Sequence, residues 1–297
     1  MNVKIDPKLL FALFGVAIIW GTTYLGIRIA VQTIPPWFVT AIRQSIASLI
    51  LFSLLVYQGE MKWLGWQHLR RQMILSLLMI VIANGLTTVA EQTITSGLTS
   101  LLISLVPILV YLGSLFVKLQ KPSFKGFAGV LLGFLGVAFI FREGLGDILD
   151  PDYKIGMIYL SLAISAWAVG TIYIKKNAQH SDHIFLDLFY QFLFSVVVQF
   201  VLAFVFSGKT TISSWSVNSL MATAYLGIVG SVLGFFCFHY ALKRVSVVKV
   251  SILSYFNTII AIFLGWIVLG EVITTDIIIA AVLIITGVFI VNYKKKE

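Results

Sequence analysis

Charge and cysteine are what this sequence has least of. Only 11% of its 297 residues are charged, against 59% that are hydrophobic, and the mean hydropathy is +1.00. One soluble core cannot enclose that much apolar surface, so lipid must cover it. The single cysteine, Cys237, excludes an internal disulfide and any metal site built from several thiolates. No His-Glu-x-x-His motif occurs, and no glycine-rich phosphate-binding loop, which removes the usual signs of a metalloprotease or an ATP-driven pump. Long polar linkers are missing too. The joins are short turn or cap signals such as Pro35-Pro36, Gln58-Gly59, Lys121-Pro122-Ser123 and Ser207-Gly208, with no room for a separate soluble domain.

What is present is apolar sequence in long runs. A helix that crosses the hydrocarbon needs about 20 apolar residues. Ten such runs fit, near 9–31, 36–57, 73–92, 96–117, 124–142, 155–174, 184–206, 218–240, 247–269 and 275–293. The first is followed at once by another and lacks a small-residue cleavage site, so it reads as a span and not as a removable signal peptide. The formal charge of +9 is distributed as a topology signal. With a cytoplasmic N-terminus, the lysines and arginines fall on the inner side, apart from Arg28, Arg142, Lys154 and Lys209 outside and Arg43 within a span. That is the positive-inside asymmetry, with basic groups facing anionic headgroups. It leaves no continuous basic face for nucleic acid. Both termini are expected in the cytoplasm.

The chain also repeats itself. The stretch from Trp20 to Arg28 lies over Trp167 to Lys175, keeping the aromatic and the terminal cation at the same spacing, and Gln44 falls on Gln191. Thr99 to Pro107 lies over Lys249 to Asn257, and Gly129 and Gly136 match Ala280 and Gly287. The units are 1–148 and 149–297. Five spans per unit is an odd number, so the second unit enters the membrane from the opposite side. Inverted repeats of this kind belong to secondary transporters.

Several stretches carry a resemblance to a known family. Trp20-Gly21-Thr22-Thr23-Tyr24, the Pro36 to Arg43 segment, Ser104-Leu105-Val106-Pro107, and Leu269-Gly270-Glu271 followed by Thr274 and Gly287 resemble the EamA-type permeases of the drug/metabolite transporter superfamily. The resemblance runs over essentially the whole chain. It implies an all-α membrane protein of ten helices in two inverted five-helix repeats. Its central cavity would be formed mainly by the first, third, fourth, sixth, eighth and ninth helices, in a prokaryotic inner membrane. Many such proteins export amino acids or other small metabolites. Three places depart from the pattern: Asn257 stands where a proline matching Pro107 is expected, Leu119-Gln120-Lys121 stands opposite Leu269-Gly270-Glu271, and Arg43 is followed by Gln44 where phenylalanine is commoner.

A solute crossing the bilayer needs polar partners near the midplane. Asn84, Thr87, Thr88, Ser100 and Ser104 in the first half, and Ser231, Ser251, Ser254 and Asn257 in the second, are the candidates. For each hydroxyl the competing reading is a bond to its own preceding turn or to a neighbouring helix. Pro107 removes a backbone donor and frees a carbonyl near Ile103, either for solute contact or as a kink satisfied by Ser104. Trp20 and Trp167 lie mid-span, away from the interfacial belts, where an indole can stack on a solute or pack between helices. Arg43 sits roughly 10 Å deep at 1.5 Å per residue. It would bind a substrate carboxylate or pair with Glu91 or a helix C-terminus. Glu91 is the candidate for proton coupling, with His239 the other titratable group within a span. His180-Ser181-Asp182-His183 has metal-like chemistry in a short loop without further ligands, so no metal site is assigned. Gly129/Gly133 and Gly230/Gly234 read as close-packing pairs within the chain that do not imply an oligomer.

The midplane candidates are neutral, which lacks the nucleophile–base or metal dyad of an enzyme and the carboxylate ring of a metal-cation pore. The expectation is a secondary transporter of small polar, amino-acid-like metabolites, working in efflux, with no cofactor and with a proton as the coupling ion. A passive channel and a xenobiotic efflux permease are the alternatives.

Overall fold

The computed structural model describes residues 6–119, 121–143, 151–177, 183–208, 210–244 and 253–292, and of these the side chains of 137–138, 140–143, 175, 177, 253–255 and 291–292 lie outside the description. Among the described residues all regular structure is helical. We label the long segments α1 (Pro7–Ala30), α2 (Pro36–Tyr57), α3 (Trp66–Ala90), α4 (Ser96–Phe116), α5 (Phe124–Glu143), α6 (Pro151–Asn177), α7 (Ile184–Phe206), α8 (Val217–Arg244), α9 (Leu253–Leu269) and α10 (Thr275–Asn292). Seven are long and apolar enough to cross a bilayer: α1 to α4, α6 (over Pro151–Ile174), α7 and α8. The expected runs at 124–142, 247–269 and 275–293 contain shorter apolar stretches, Phe124–Gly136, Phe256–Leu269 and Thr275–Ile290.

Local chemistry sets the ends. Asp6 caps α1 by accepting from the Lys8 amide at 3.0 Å, with Pro7 at the first helical position, where its missing N–H costs nothing. Pro36 starts α2 in the same way. Thr95 and Ser216 cap α4 and α8 through their hydroxyls. Glycines in the left-handed region end α2 (Gly59, φ 65°), α7 (Gly208, φ 63°) and α9 (Gly270, φ 68°). Lys118 takes the same conformation after α4 at φ 58°, although a side chain there costs about 1–2 kcal/mol.

Two helices are locally widened. Within α3 the stretch Ser76–Asn84, and within α8 the stretch Leu226–Leu233, form wider π-type turns. Such turns release backbone carbonyls from the α-helical ladder and occur frequently at functional sites. Here two carbonyls in the wide turns are taken up by side chains from other helices. The Gln199 amide of α7 donates to Ile80 O at 3.1 Å, and the Trp20 indole of α1 donates to Gly230 O at 3.3 Å.

The helices pack in a regular scheme. α1 lies against α8 and α9, while α6 lies against α3 and α4; α2 pairs with α7, and α5 with α10. Ala47, Leu51 and Leu55 of α2 meet Leu188 and Phe192 of α7 in one fully buried layer. The α5–α10 crossing depends on two glycines. A Cβ on Gly136 would lie 3.0 Å from Ala280 O, and one on Gly287 only 2.5 Å from Gly129 O. The outward faces are apolar, with Phe127 and Phe204 about three-quarters exposed at 75% and 74%, as suits a lipid solvent.

Candidate functional site

A cavity of about 130 Å³ lies where α1, α3, α4, α6, α8 and α9 converge, with Arg43 of α2 reaching in as the seventh contributor. These are the six helices that the family resemblance implied, plus one. The cavity's central feature is a group of four rings. Trp20 and Trp167 meet edge to face with centroids 5.4 Å apart. Phe235 stands 5.6 Å from Trp20 and 6.1 Å from Trp167, and Phe238 stands 5.0 Å and 5.9 Å from the same two. Gly230 and Gly234, read from sequence as a helix-packing pair, form the bed for Trp20. A Cβ at Gly234 would fall 2.5 Å from the indole nitrogen.

Arg43 is buried at 2% exposure and does not pair with Glu91. Its Nε donates to Ser231 Oγ at 2.8 Å, and one terminal nitrogen donates to Asn84 Oδ1 at 3.3 Å. Both partners belong to the wide-turn segments, Asn84 in α3 and Ser231 in α8. The Asn84 amide is oriented in turn by donating to Met79 O at 3.2 Å. The end of α3 is met by a different arginine, Arg28, which donates to the carbonyls of Glu91 and Gln92.

Of the residues singled out from sequence, Trp20, Arg43, Asn84, Thr87, Trp167 and Asn257 line the cavity, as does Pro107. Ser104 does not line it; its hydroxyl turns back to Leu101 O at 2.6 Å, and Ser100 likewise to Gly97 O at 2.7 Å. α4 breaks at Ser104-Leu105, ahead of Pro107, whose missing N–H leaves Ile103 at the cavity wall without its usual helical donor. The side chain of Ser254, and Ser251 altogether, lie outside the described residues. Glu91 is fully buried and outside the lining, and among the described residues neither carboxylate oxygen has a hydrogen-bond partner. It is near enough to Arg28, Arg43 and Glu271 to interact with them electrostatically. His239 is also away from the cavity, edge-on to Phe238 at 5.8 Å. His180 and Asp182 lie outside the described residues; among those described, no three metal-ligating side chains gather.

Sequence reasoning missed Thr23, Tyr24, Thr171 and Phe238. A signal for two of them existed. Tyr24 and Thr171 each follow the mid-span tryptophan of their own half by four positions, so each shares a face with it. Two polar ties away from the cavity were also missed. The Glu271 carboxylate accepts from the Ser96 amide at 2.8 Å, the Gly97 amide at 3.0 Å and the Ser96 hydroxyl at 3.0 Å, so it caps α4 from the end of α9. At the opposite end of the bundle His68 contacts Asp187 at 2.7 Å and Gln72 at 3.2 Å, and Gln72 accepts from Gln191 at 2.7 Å.

Comparison with known proteins agrees with this architecture. The EamA-like transporter family matches the chain twice, over residues 7–142 and 154–293. The chain is 27% identical to the uncharacterized transporter YoaV of Bacillus subtilis (strain 168), over 95% of this chain and 96% of that protein. It is 26% identical to the uncharacterized inner membrane transporter YedA of Escherichia coli (strain K12), over 93% and 89%. It is 25% identical to protein PagO of Salmonella typhimurium (strain LT2), over 97% and 93%. A solved crystal structure of 18% sequence identity shares the fold, with a TM-score of 0.69 over 95% of this chain and 96% of that one. With the family matched over both halves, around a cavity enclosed by apolar helices, this chain belongs to the EamA-like transporter family and is a membrane transporter.

Proposed function

We propose that the protein is a secondary transporter of small polar, amino-acid-like metabolites, working by alternating access about the Trp20–Trp167 cavity and running in the direction of export. The observation that carries this reading is the cavity's composition. Each half contributes its mid-span tryptophan, its wide-turn helix and its broken or polar fourth or ninth helix to one shared chamber. A binding site at the junction of two matched halves is what an exchange between inward-open and outward-open states requires.

The packing scheme supports ten spans in two inverted five-helix repeats, 1–148 and 149–297. Adding five to each helix number turns α1 on α8 and α9 into α6 on α3 and α4, and leaves the α2–α7 and α5–α10 pairs unchanged. Residue detail follows the same rule: Gly136 approaches Ala280 while Gly287 approaches Gly129. In this reading the membrane is the prokaryotic inner membrane, both termini are cytoplasmic, and Trp20, Arg43, Asn84, Trp167 and Asn257 contact the solute. Ser254 is a further solute contact in this reading, whereas the Ser104 hydroxyl stays bonded to Leu101 O of its own helix. Glu91 is the proton-coupling group, with His239 as its alternative.

Counterflow in proteoliposomes loaded in turn with pooled amino acids, nucleobases and sugars tests it. Saturable uptake accelerated by one pool is the expected outcome; conductance that rises linearly with voltage and never saturates would replace the transporter with a passive pore.

A further inference from the structure

Among the described residues the cavity has one charged lining residue, and it is a cation. Arg43 has five N–H donors, of which the described structure uses two, one on Ser231 and one on Asn84. An arginine keeps its charge when buried, and a buried cation is costly unless an anion meets it. Among the described residues no carboxylate lies within ion-pair distance of it. Glu91 acts on it electrostatically, but stands outside the lining and makes no hydrogen bond to it. The two groups that do hold the guanidinium are neutral and come from the wide-turn segments of α3 and α8, so the charge is oriented from both halves without being neutralised. Across the same cavity, Trp20, Trp167, Phe235 and Phe238 present an apolar wall. Among the described residues no aspartate or glutamate lines the cavity to receive an ammonium group.

We infer that this site recognises an organic carboxylate with an apolar body, the carboxylate on the remaining donors of Arg43 and the body against the four rings, and that an amino group on the solute is not required. This rests on the transporter reading above and names its substrate class. Planar guanidinium and carboxylate match in a bidentate pair, and a solute carboxylate would give this cation the hydrogen-bonded anion that Glu91, outside the lining, does not supply.

The probes are 3-phenylpropionate, phenylalanine and phenethylamine, titrated into the purified full-length protein and followed by thermal shift and tryptophan fluorescence. Saturable binding of 3-phenylpropionate is expected, with phenethylamine at least tenfold weaker. Arg43→Gln should weaken 3-phenylpropionate at least tenfold. Because Arg43→Gln removes a buried anchor and can fail to fold, Asn84→Asp serves as the second variant. It sets a carboxylate against the guanidinium from within the protein, so it should weaken 3-phenylpropionate at least tenfold while a cooperative melting transition shows that the variant folds. Equal or tighter binding of phenethylamine overturns the proposal. So does unchanged carboxylate affinity in Asn84→Asp, or no saturable response to 3-phenylpropionate, whether or not phenylalanine binds. Binding without counterflow would sink the transport reading and leave this one standing; counterflow of amines alone would do the reverse.

Discussion

Arg43 of α2 holds Ser231 of α8 at 2.8 Å, and with it ties the second helix of one half to the wide turn of the other. The bond is buried and joins positions far apart in the chain, so it forms only when both halves have assembled. Removing the hydroxyl leaves a buried donor without its acceptor, at a cost of about 1–3 kcal/mol. Ser231→Ala should therefore lower the melting temperature and transport together, whereas Ser231→Thr, which keeps the hydroxyl, should restore most of both. Thermal unfolding in detergent, read beside counterflow rates, checks it, and indifference to the alanine would remove the tie from the account.

The two mid-span tryptophans touch each other across the cavity. Trp20→Ala and Trp167→Ala should each reduce transport at least tenfold, while the phenylalanine replacements retain a measurable rate, because a ring remains to face the solute. Protein abundance in the membrane, measured by immunoblot alongside the rates, separates lost function from lost protein. Wild-type rates in both alanine variants would take these residues out of the site.

Gly287 and Gly136 let α10 and α5 cross at backbone contact. A methyl group on Gly287 meets Gly129 O at 2.5 Å, and backbone gives way less readily than the Ile284 side chain that lies first in the path of one on Gly136, at 2.6 Å. Overpacking of this kind costs about 1–3 kcal/mol. Gly287→Ala should be the more destabilising of the two in a heating series, and the reverse order would show that the crossing relaxes by another route.

Glu271 caps α4 with three hydrogen bonds. Loss of an N-cap costs about 0.5–2 kcal/mol. Amide hydrogen exchange over Ser96 to Leu101 should accelerate in Glu271→Ala and less so in Glu271→Gln, which keeps one acceptor. Exchange that is unchanged in the alanine variant would mean that the cap does not hold this end of α4.

Glu91 is a fully buried carboxyl group without a hydrogen-bond partner among the described residues. Glutamine has nearly the same shape and carries no titratable proton. Counterflow that responds to an imposed pH gradient in the wild type should become insensitive to it in Glu91→Gln while substrate binding persists. Retained sensitivity would move the proton site elsewhere, with His239→Gln the next variant to measure.

The helix ends are legible in the amino-acid sequence. Pro35-Pro36, Gly59 and Gly208 mark them because capping and left-handed turns depend on a few adjacent residues. The mid-span tryptophans stand out because tryptophan normally sits at the interface. The wide turns at Ser76–Asn84 and Leu226–Leu233 leave no comparable mark, since one carbonyl in each is met by a residue remote in the chain, Ile80 O by Gln199 and Gly230 O by Trp20. Ser104 and Asn84 look alike as mid-span polar residues; the first bonds to its own helix and the second faces the cavity.

Membrane residence, the helical class and the family are therefore properties of the sequence alone, because they follow from hydropathy summed over spans of chain and from short local motifs. Which face of each helix meets the cavity was decided only by tertiary structure. Lipid is as apolar as the packed interior, so hydropathy does not distinguish an outward face from an inward one. The rotation of each helix comes instead from close approaches such as Gly287 on Gly129 and from bonds such as Arg43 to Ser231, which exist only between helices brought together from opposite halves of the chain.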